Sequence, residues 1–295
     1  MYYYRKTEVK KLFEINGNYS IKITDDSNDL IGWWGDLKLD EKTEDFDVVM
    51  DFLRQEKDIN LTIHGLKEEY VKAIFSEIGH EIHYLTCWSQ IEDSSIIELC
   101  PNLETAEFDL GSKITEIWDT SKTPKLRELT LYSAKSLKSI EGLRNSKVEK
   151  LIISGEHIAY IDVTKKPKID DISALETLSN LTHLEFFTAK GVRNRQKHIQ
   201  TFAKLTNLTH LKLARDYFTF SQFAWLKSKL VNDKNIDASF HFYFQRWDET
   251  FWYAIIGDGM PEWIEDNEEN NLKVYFDEFK RLVAHYKDDP NPPKN

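Results

Sequence analysis

The stretch "NLTHLEF" at residues 180–186 returns almost unchanged as "NLTHLKL" at residues 207–213, 27 positions on. A near-copy at that distance points to a recurring unit larger than one element, and such a unit governs the fold of the whole chain. The shared frame is apolar-x-x-apolar-x-apolar. It fits Leu181, Leu184 and Phe186, and again Leu208, Leu211 and Leu213. Toward the N-terminus it fits Val148, Leu151 and Ile153; Leu126, Leu129 and Leu131; Leu103, Ala106 and Phe108; and Ile82, Leu85 and Cys87. Two weaker copies come first: Leu61 and Ile63, with Asp58 where an apolar residue belongs, and Trp34, Leu37 and Leu39. The middle positions, 37, 61, 85, 106, 129, 151, 184 and 211, are 24, 24, 21, 23, 22, 33 and 27 residues apart. A ninth copy is readable within "IDASFHFYF" (236–244), in an ambiguous register.

The alternating core of the frame sends its apolar side chains to one face and the residues between them to the other. A strand of three or four residues cannot bury that face alone, whereas stacked copies can, each pairing with the next in a parallel sheet. The remainder of each period must return the chain. "EDFDVVMDFLRQE" (44–56) and "KEEYVKAIFSEIGH" (67–80) carry apolar residues at three- and four-residue intervals and predict helices. The middle returns, such as "SLKSIEGLRNSK" (136–147), are too short for much helix. The 33-residue spacing predicts that "EHIAYIDVTKKPKID" (156–170) bulges out as an exposed loop or short hairpin.

This frame, and above all "DDISALETLSNLTHLEF" (170–186) and "FAKLTNLTHLKL" (202–213), resembles the leucine-rich repeat in its bacterial internalin-like, degenerate form. The resemblance covers about residues 34–243 and is strongest at 99–213. It implies an α/β solenoid with the parallel sheet on the concave face, helices and loops on the convex face, and a binding role for the sheet. The family's usual asparagine or cysteine, five residues after the middle position, is replaced by Lys42, Leu66, Gln90, Gly111, Ala134, Glu156, Ala189 and Asp216. Uneven turns are therefore expected.

A solenoid exposes core at both ends, and caps must cover it. Residues 1–33 read as an N-terminal cap, in which "EVKKLFEINGNYSIKIT" (8–24) forms a hairpin with its turn at Asn16-Gly17. Residues 34–243 form the solenoid of 8–9 irregular repeats, and 244–295 a C-terminal cap. That cap holds an acidic aromatic stretch and an amphipathic helix over 270–287, striped by Leu272, Tyr275, Phe276, Phe279, Leu282, Val283 and Tyr286. The tail "DDPNPPKN" should fray.

A formal net charge of −11 hides an uneven distribution. Residues 25–51 hold ten acidic residues against Lys38 and Lys42, and 248–278 hold ten against Lys273 alone. Residues 187–234 hold ten Lys or Arg against Asp216 and Asp233. Two acidic ends favour a basic partner, while the overall sign disfavours nucleic acid. No window of 18 apolar residues suggests a membrane span, and "MYYYRKTEVKK" lacks a signal-peptide pattern. Cys87 and Cys100 read as buried thiols of a reducing compartment, and a cytoplasmic location is expected.

Nothing in the chain assembles a catalytic constellation: there is no phosphate-binding glycine loop, no G-x-S-x-G and no Cys-x-x-Cys. No catalytic, cofactor or metal residues are assigned and no cofactor is expected. His183 and His210 hold the same frame position and would be neighbours on adjacent strands if the insertion loops out; a surface histidine pair is favoured there over a metal site. The outward columns are more telling. They contain Tyr84, Trp88, Tyr132 and Phe187 among Glu107, Asp109, Glu128 and Glu185, and aromatic anchors among charges suit an interface. The alternative is that a loop or terminal segment folds over them. The sequence thus favours a non-enzymatic protein-binding protein with a basic protein partner, engaged through these eight residues. An immunity or inhibitor protein neutralising a basic toxin such as a nuclease is the alternative, and an enzyme with its site in the C-terminal region the remote one.

Overall fold

The computed structural model describes residues 9–15, 19–24, 46–111, 113–154, 167–187, 195–230, 241–245, 251–258, 260, 264–265 and 269–294. Among them, nine strands form one sheet in chain order: β1 (Val9–Ile15), β2 (Tyr19–Thr24), β3 (Ile59–Lys67), β4 (Ile82–Gln90), β5 (Thr105–Asp109), β6 (Glu128–Tyr132), β7 (Lys150–Ile153), β8 (His183–Phe186) and β9 (His210–Leu213). β1, β2 and β3 pair antiparallel. From β3 to β9 every pairing is parallel. The helices are α1 (Phe46–Leu53), α2 (Glu68–Ile78), α3 (Arg195–Ala203), α4 (Phe220–Lys229) and α5 (Glu269–Tyr286). β10 (His241–Gln245), β11 (Phe251–Ile255) and β12 (Ile264–Glu265) make a separate antiparallel sheet.

The repeat frame sets the register of the parallel strands. Leu61, Leu85, Ala106, Leu129, Leu151, Leu184 and Leu211 lie opposite one another in a single row across seven strands. Ile63, Cys87, Phe108, Leu131, Ile153, Phe186 and Leu213 form the next inward row. Both rows are buried in one continuous core, together with Val71, Ile74 and Phe75 of α2 and Ile199 and Phe202 of α3. The core therefore lies between the sheet and the layer of returning segments, in a leucine-rich-repeat-like stacking. Burying one leucine of such a row contributes about 1.5–3 kcal/mol. Cys87 and Cys100 are buried and free, and burial pushes the Cys87 thiol up to about 12.

Asp58 breaks the frame for a conformational reason. It takes a left-handed φ of 49° just before β3, a conformation tolerated by aspartate but costly for a β-branched residue. Ile59 moves into the vacant core place and pairs with Ile82, and the register then shifts so that Asn60 pairs with Tyr84. His83 is the residue left over, and its ring nitrogens meet Asp58 at 3.3 Å and Glu104 at 3.1 Å.

The returns differ in kind, as the missing asparagines predict. α1 and α2 fall where the helical spacing placed them, and short 3-10 turns serve later repeats at Ser94–Leu99, Thr120–Lys122, Glu141–Leu143 and Ser173–Thr177. Three of these begin alike: Asp93, Asp119 and Asp171 accept hydrogen bonds from the backbone N–H groups of Ser95, Ser121 and Ser173. In the other, Ser139 Oγ takes the same part toward Glu141. On the side where strands begin, backbone carbonyls do the linking. Glu104 O accepts from both Arg127 and Glu128, Arg127 O from Glu149 and Lys150, Glu149 O from Thr182 and His183, and Thr182 O from Thr209 and His210.

Five expectations need correction or fall outside the described residues. The candidate ninth copy does not join the parallel sheet: residues 241–245 pair with β11 in the separate one. The expected loop over 156–170 is described only from residue 167, and there Pro167 and Ile169 are buried rather than exposed. The tail does not fray. Trp225 Nε1 donates to the carbonyl of Asp289 at 3.0 Å, Gln222 Nε2 donates to that of Pro293 at 3.1 Å, and Pro292 is buried. The copy at Trp34, Leu37 and Leu39 and the turn at Asn16-Gly17 lie outside the described residues.

Close stacking of successive returns requires glycine at two places. A Cβ on Gly142 would lie 2.1 Å from the carbonyl oxygen of Trp118 and 2.4 Å from that of Ile117. On Gly79 it would lie 2.3 Å from the carbonyl oxygen of Leu99. Gly142→Ala must therefore push two returns apart, and should destabilise the protein by about 1–3 kcal/mol in chemical denaturation monitored by tryptophan fluorescence. An unchanged midpoint would mean that the returns are not packed at backbone contact.

Candidate functional site

The outward residues of the sheet stand in register as cleanly as the core. Asn60, Tyr84, Thr105, Glu128, Lys150, His183 and His210 form one row, and Thr62, Thr86, Glu107, Thr130, Ile152, Glu185 and Lys212 the next. His64 lies beside Trp88, and Asp109 beside Tyr132. The eight residues singled out from sequence thus divide into two groups. Tyr84, Trp88, Glu107, Asp109, Glu128 and Tyr132 share the three adjacent strands β4, β5 and β6. Glu185 and Phe187 belong to β8 and the residue that follows it, beyond Lys150 and Ile152 of β7.

Within the first group Tyr84, Trp88, Glu107 and Asp109 are partly exposed and Glu128 is exposed. The Trp88 ring meets His64 edge-on with centroids 6.3 Å apart. Tyr132 differs: it is 3% exposed, although it lies outside the main core cluster, so its ring is covered on the outward side and offers no surface to a partner. Burial pushes its hydroxyl well above the usual tyrosine range, and the nearby carboxylates Glu107 and Glu185 push the same way.

The carboxylates are partly committed to the protein itself. Asp109 accepts the backbone N–H of Gly111 at 3.1 Å in the turn after β5. Glu128 pairs with Lys150 across β6 and β7 at 3.3 Å. Glu107, like Asp109, is half-buried. Burial pushes its carboxyl above the usual range, against the opposing pull of the Trp88 indole N–H and Lys150.

The second group is a cluster of imidazoles around a carboxylate. His183 and His210 are register partners on β8 and β9, and their rings stack 4.0 Å apart at 12°. Glu185, two residues along β8 from His183, shares its face. Its Oε1 lies 3.5 Å from His183 Nε2 and 3.4 Å from His210 Nε2. Lys212 Nζ is 4.0 Å from the other oxygen and 5.6 Å above the Phe187 ring. Burial alone would push the Glu185 carboxyl up, but the two histidines and Lys212 outweigh it and hold it well below the usual range. The two histidines hold one frame position in the sequence. That Glu185 sits between them was not read there, because it needs both the period of two along a strand and the register across strands.

No family model matches the chain, and no curated protein does. Among solved structures it is similar to internalin C2 from Listeria monocytogenes at 20% identity and a TM-score of 0.29, over 55% of this chain and 71% of that one. A likeness of that degree bears on neither the site nor its chemistry. No helix among the described residues is long and apolar enough to cross a membrane.

Glu107 gives the face a pH signature. Its folded-state pKa is raised, so the folded chain holds a proton that the unfolded chain has already released. Stability therefore falls as pH rises from the ordinary glutamate range through the raised one. Glu107→Gln should raise the melting temperature at pH 7, and the gain should shrink to nothing below the ordinary glutamate range. Calorimetry across that interval checks it; a gain independent of pH would assign the effect to packing.

Proposed function

We propose that the outward face of β4, β5 and β6 binds a protein partner, with Tyr84 and Trp88 as apolar anchors and Glu107, Asp109 and Glu128 around them. The observation that carries this reading is the register: five partly or fully exposed residues, two aromatic and three acidic, gathered on three neighbouring strands. Strands about 4.8 Å apart bring such residues into one patch. An outward sheet face in water gains nothing from tyrosine and tryptophan, whereas an interface gains large contact area at low entropic cost. Carboxylates at the rim select a basic partner and speed encounter. Tyr132 is register partner to Asp109 at the edge of the patch but is itself buried, and Glu185 and Phe187 lie further along the sheet, on β8 and just after it. The fold, a stack of short repeats presenting one continuous sheet face, suits recognition of another protein surface.

The experiment has two stages. Immobilised protein is used to capture a partner at low salt, and the purified partner is then titrated against variants. Trp88→Ala should weaken binding by about 2 kcal/mol or more, roughly 30-fold. Glu128→Lys should slow association and reduce its dependence on salt. If Trp88→Ala does not fold, Tyr84→Ala replaces it. Wild-type affinity in both the aromatic and the charge variant would place the interface elsewhere. A captured basic nuclease whose activity is suppressed would select the inhibitor reading over a general adaptor.

A further inference from the structure

We propose that His183, Glu185 and His210 form a binding site for a zinc-like divalent cation on the outward face of β8 and β9. The site is independent of the partner-binding reading and is tested on the protein alone. Three potential ligand atoms, one from each residue, lie within 4.8 Å of one another. Metal–ligand bonds of about 2.0–2.2 Å place tetrahedral neighbours about 3.3–3.5 Å apart. The two Nε2–Oε1 separations, 3.5 and 3.4 Å, match that edge. They do not match an ionic hydrogen bond, which would draw the atoms to about 2.7–2.9 Å. Both Nε2 atoms are shielded from solvent and complete no hydrogen bond.

The chemistry points the same way. Each imidazole can turn an Nε2–H toward the carboxylate oxygen or, without that proton, share a cation with it, so the two rings and Glu185 together supply a nitrogen–nitrogen–oxygen donor set. Protonating both rings would stack two imidazolium cations at 4.0 Å. A single divalent ion meets all three groups without that repulsion. The neighbouring cations leave room for it: Lys150, the register partner of His183 on β7, is engaged with Glu128 at 3.3 Å. Lys212 lies 4.0 Å from Glu185 Oε2 and leaves Oε1 for the ion. A second group holding the far carboxylate oxygen orients the ligand, as outer partners do in metal sites. Two imidazoles and one carboxylate favour zinc and its late first-row neighbours over calcium or magnesium. Three protein ligands leave a fourth position for water or a partner's side chain.

Tag-free protein is stripped with chelator, dialysed and titrated with Zn2+ by calorimetry. One ion should bind per chain, equally in wild type and in a control changed outside the cluster, His285→Gln. His210→Asn and Glu185→Gln, each checked for folding by circular dichroism, should bind at least about 10-fold more weakly. Co2+ should give the intense visible bands of a four-coordinate ion in wild type, displaced by Zn2+. Absence of saturable zinc binding, or unchanged affinity in both variants, overturns the proposal. So does a pale six-coordinate cobalt spectrum, which decides the matter even if neither variant folds.

Discussion

The fixed side-by-side register of seven short strands is the constraint on which everything else in the structure depends. β7, β8 and β9 are four residues each, too short to bury an apolar face or persist alone. Their leucines are buried only because the neighbouring strand offers its own leucines at the same height. A one-residue slip between any two would turn the buried rows outward and the polar rows inward. The energetic unit is thus the contact between repeats, with each repeat stabilised by its neighbours. The departure at β3 shows how strict the requirement is. Where Asp58 could not supply an apolar side chain, the sheet accepted an extra residue at His83 so that Leu61 and Leu85 remained opposed.

That constraint also decides what the sequence could reveal. Inward rows obey a period set by burial, so Leu85, Leu129, Leu151, Leu184 and Leu211 announced their strands, and the pairing follows their order. The returning segments obey no such period. Their order comes from local hydrogen bonds such as Asp93 to Ser95 and Asp119 to Ser121, and from glycines that admit a neighbouring backbone. Short Asp-x-Ser pieces are too common in loops to be noticed as a repeat before the stacking is known. The same holds at the C-terminus. "DDPNPPKN" has the composition of a frayed tail, yet its carbonyls find Trp225 and Gln222 of α4. Composition reports what a segment can do alone, and docking depends on donors more than sixty residues away.

The outward face was legible in position but not in environment. Alternation along a strand fixes which side chains leave the core, and from β3 to β9 the two outward rows of the frame stand in register, whereas Ala214, placed outward by the same count, joins the core. How much of each remains in contact with water depends on what lies over the sheet and on which neighbour claims each charge. Tyr132 is covered, Asp109 is held by Gly111, and Glu128 is held by Lys150. An acidic patch counted from sequence is therefore weaker, as a free charge, than its formal sum.

The comparison between strands sets two outward positions apart. At the same outward row, Thr62, Thr86 and Thr130 fill their positions with a small β-branched side chain that suits a pleated surface and asks for no ion partner. Glu107 and Glu185 occupy equivalent places and carry an enclosed carboxylate, at a desolvation cost that threonine would avoid. At Glu107 the Trp88 indole N–H and Lys150 offset only part of that cost, and the remainder shows as a raised pKa. At Glu185 it is offset only because two histidines and a lysine from the adjoining positions converge on the same group. Folding needs neither carboxylate, since the threonines show that the row closes without one. Threonine at Glu107 would remove a desolvation cost, whereas threonine at Glu185 would remove an ionised carboxylate that the folded state favours, so one substitution acts in opposite directions at two equivalent positions of the row.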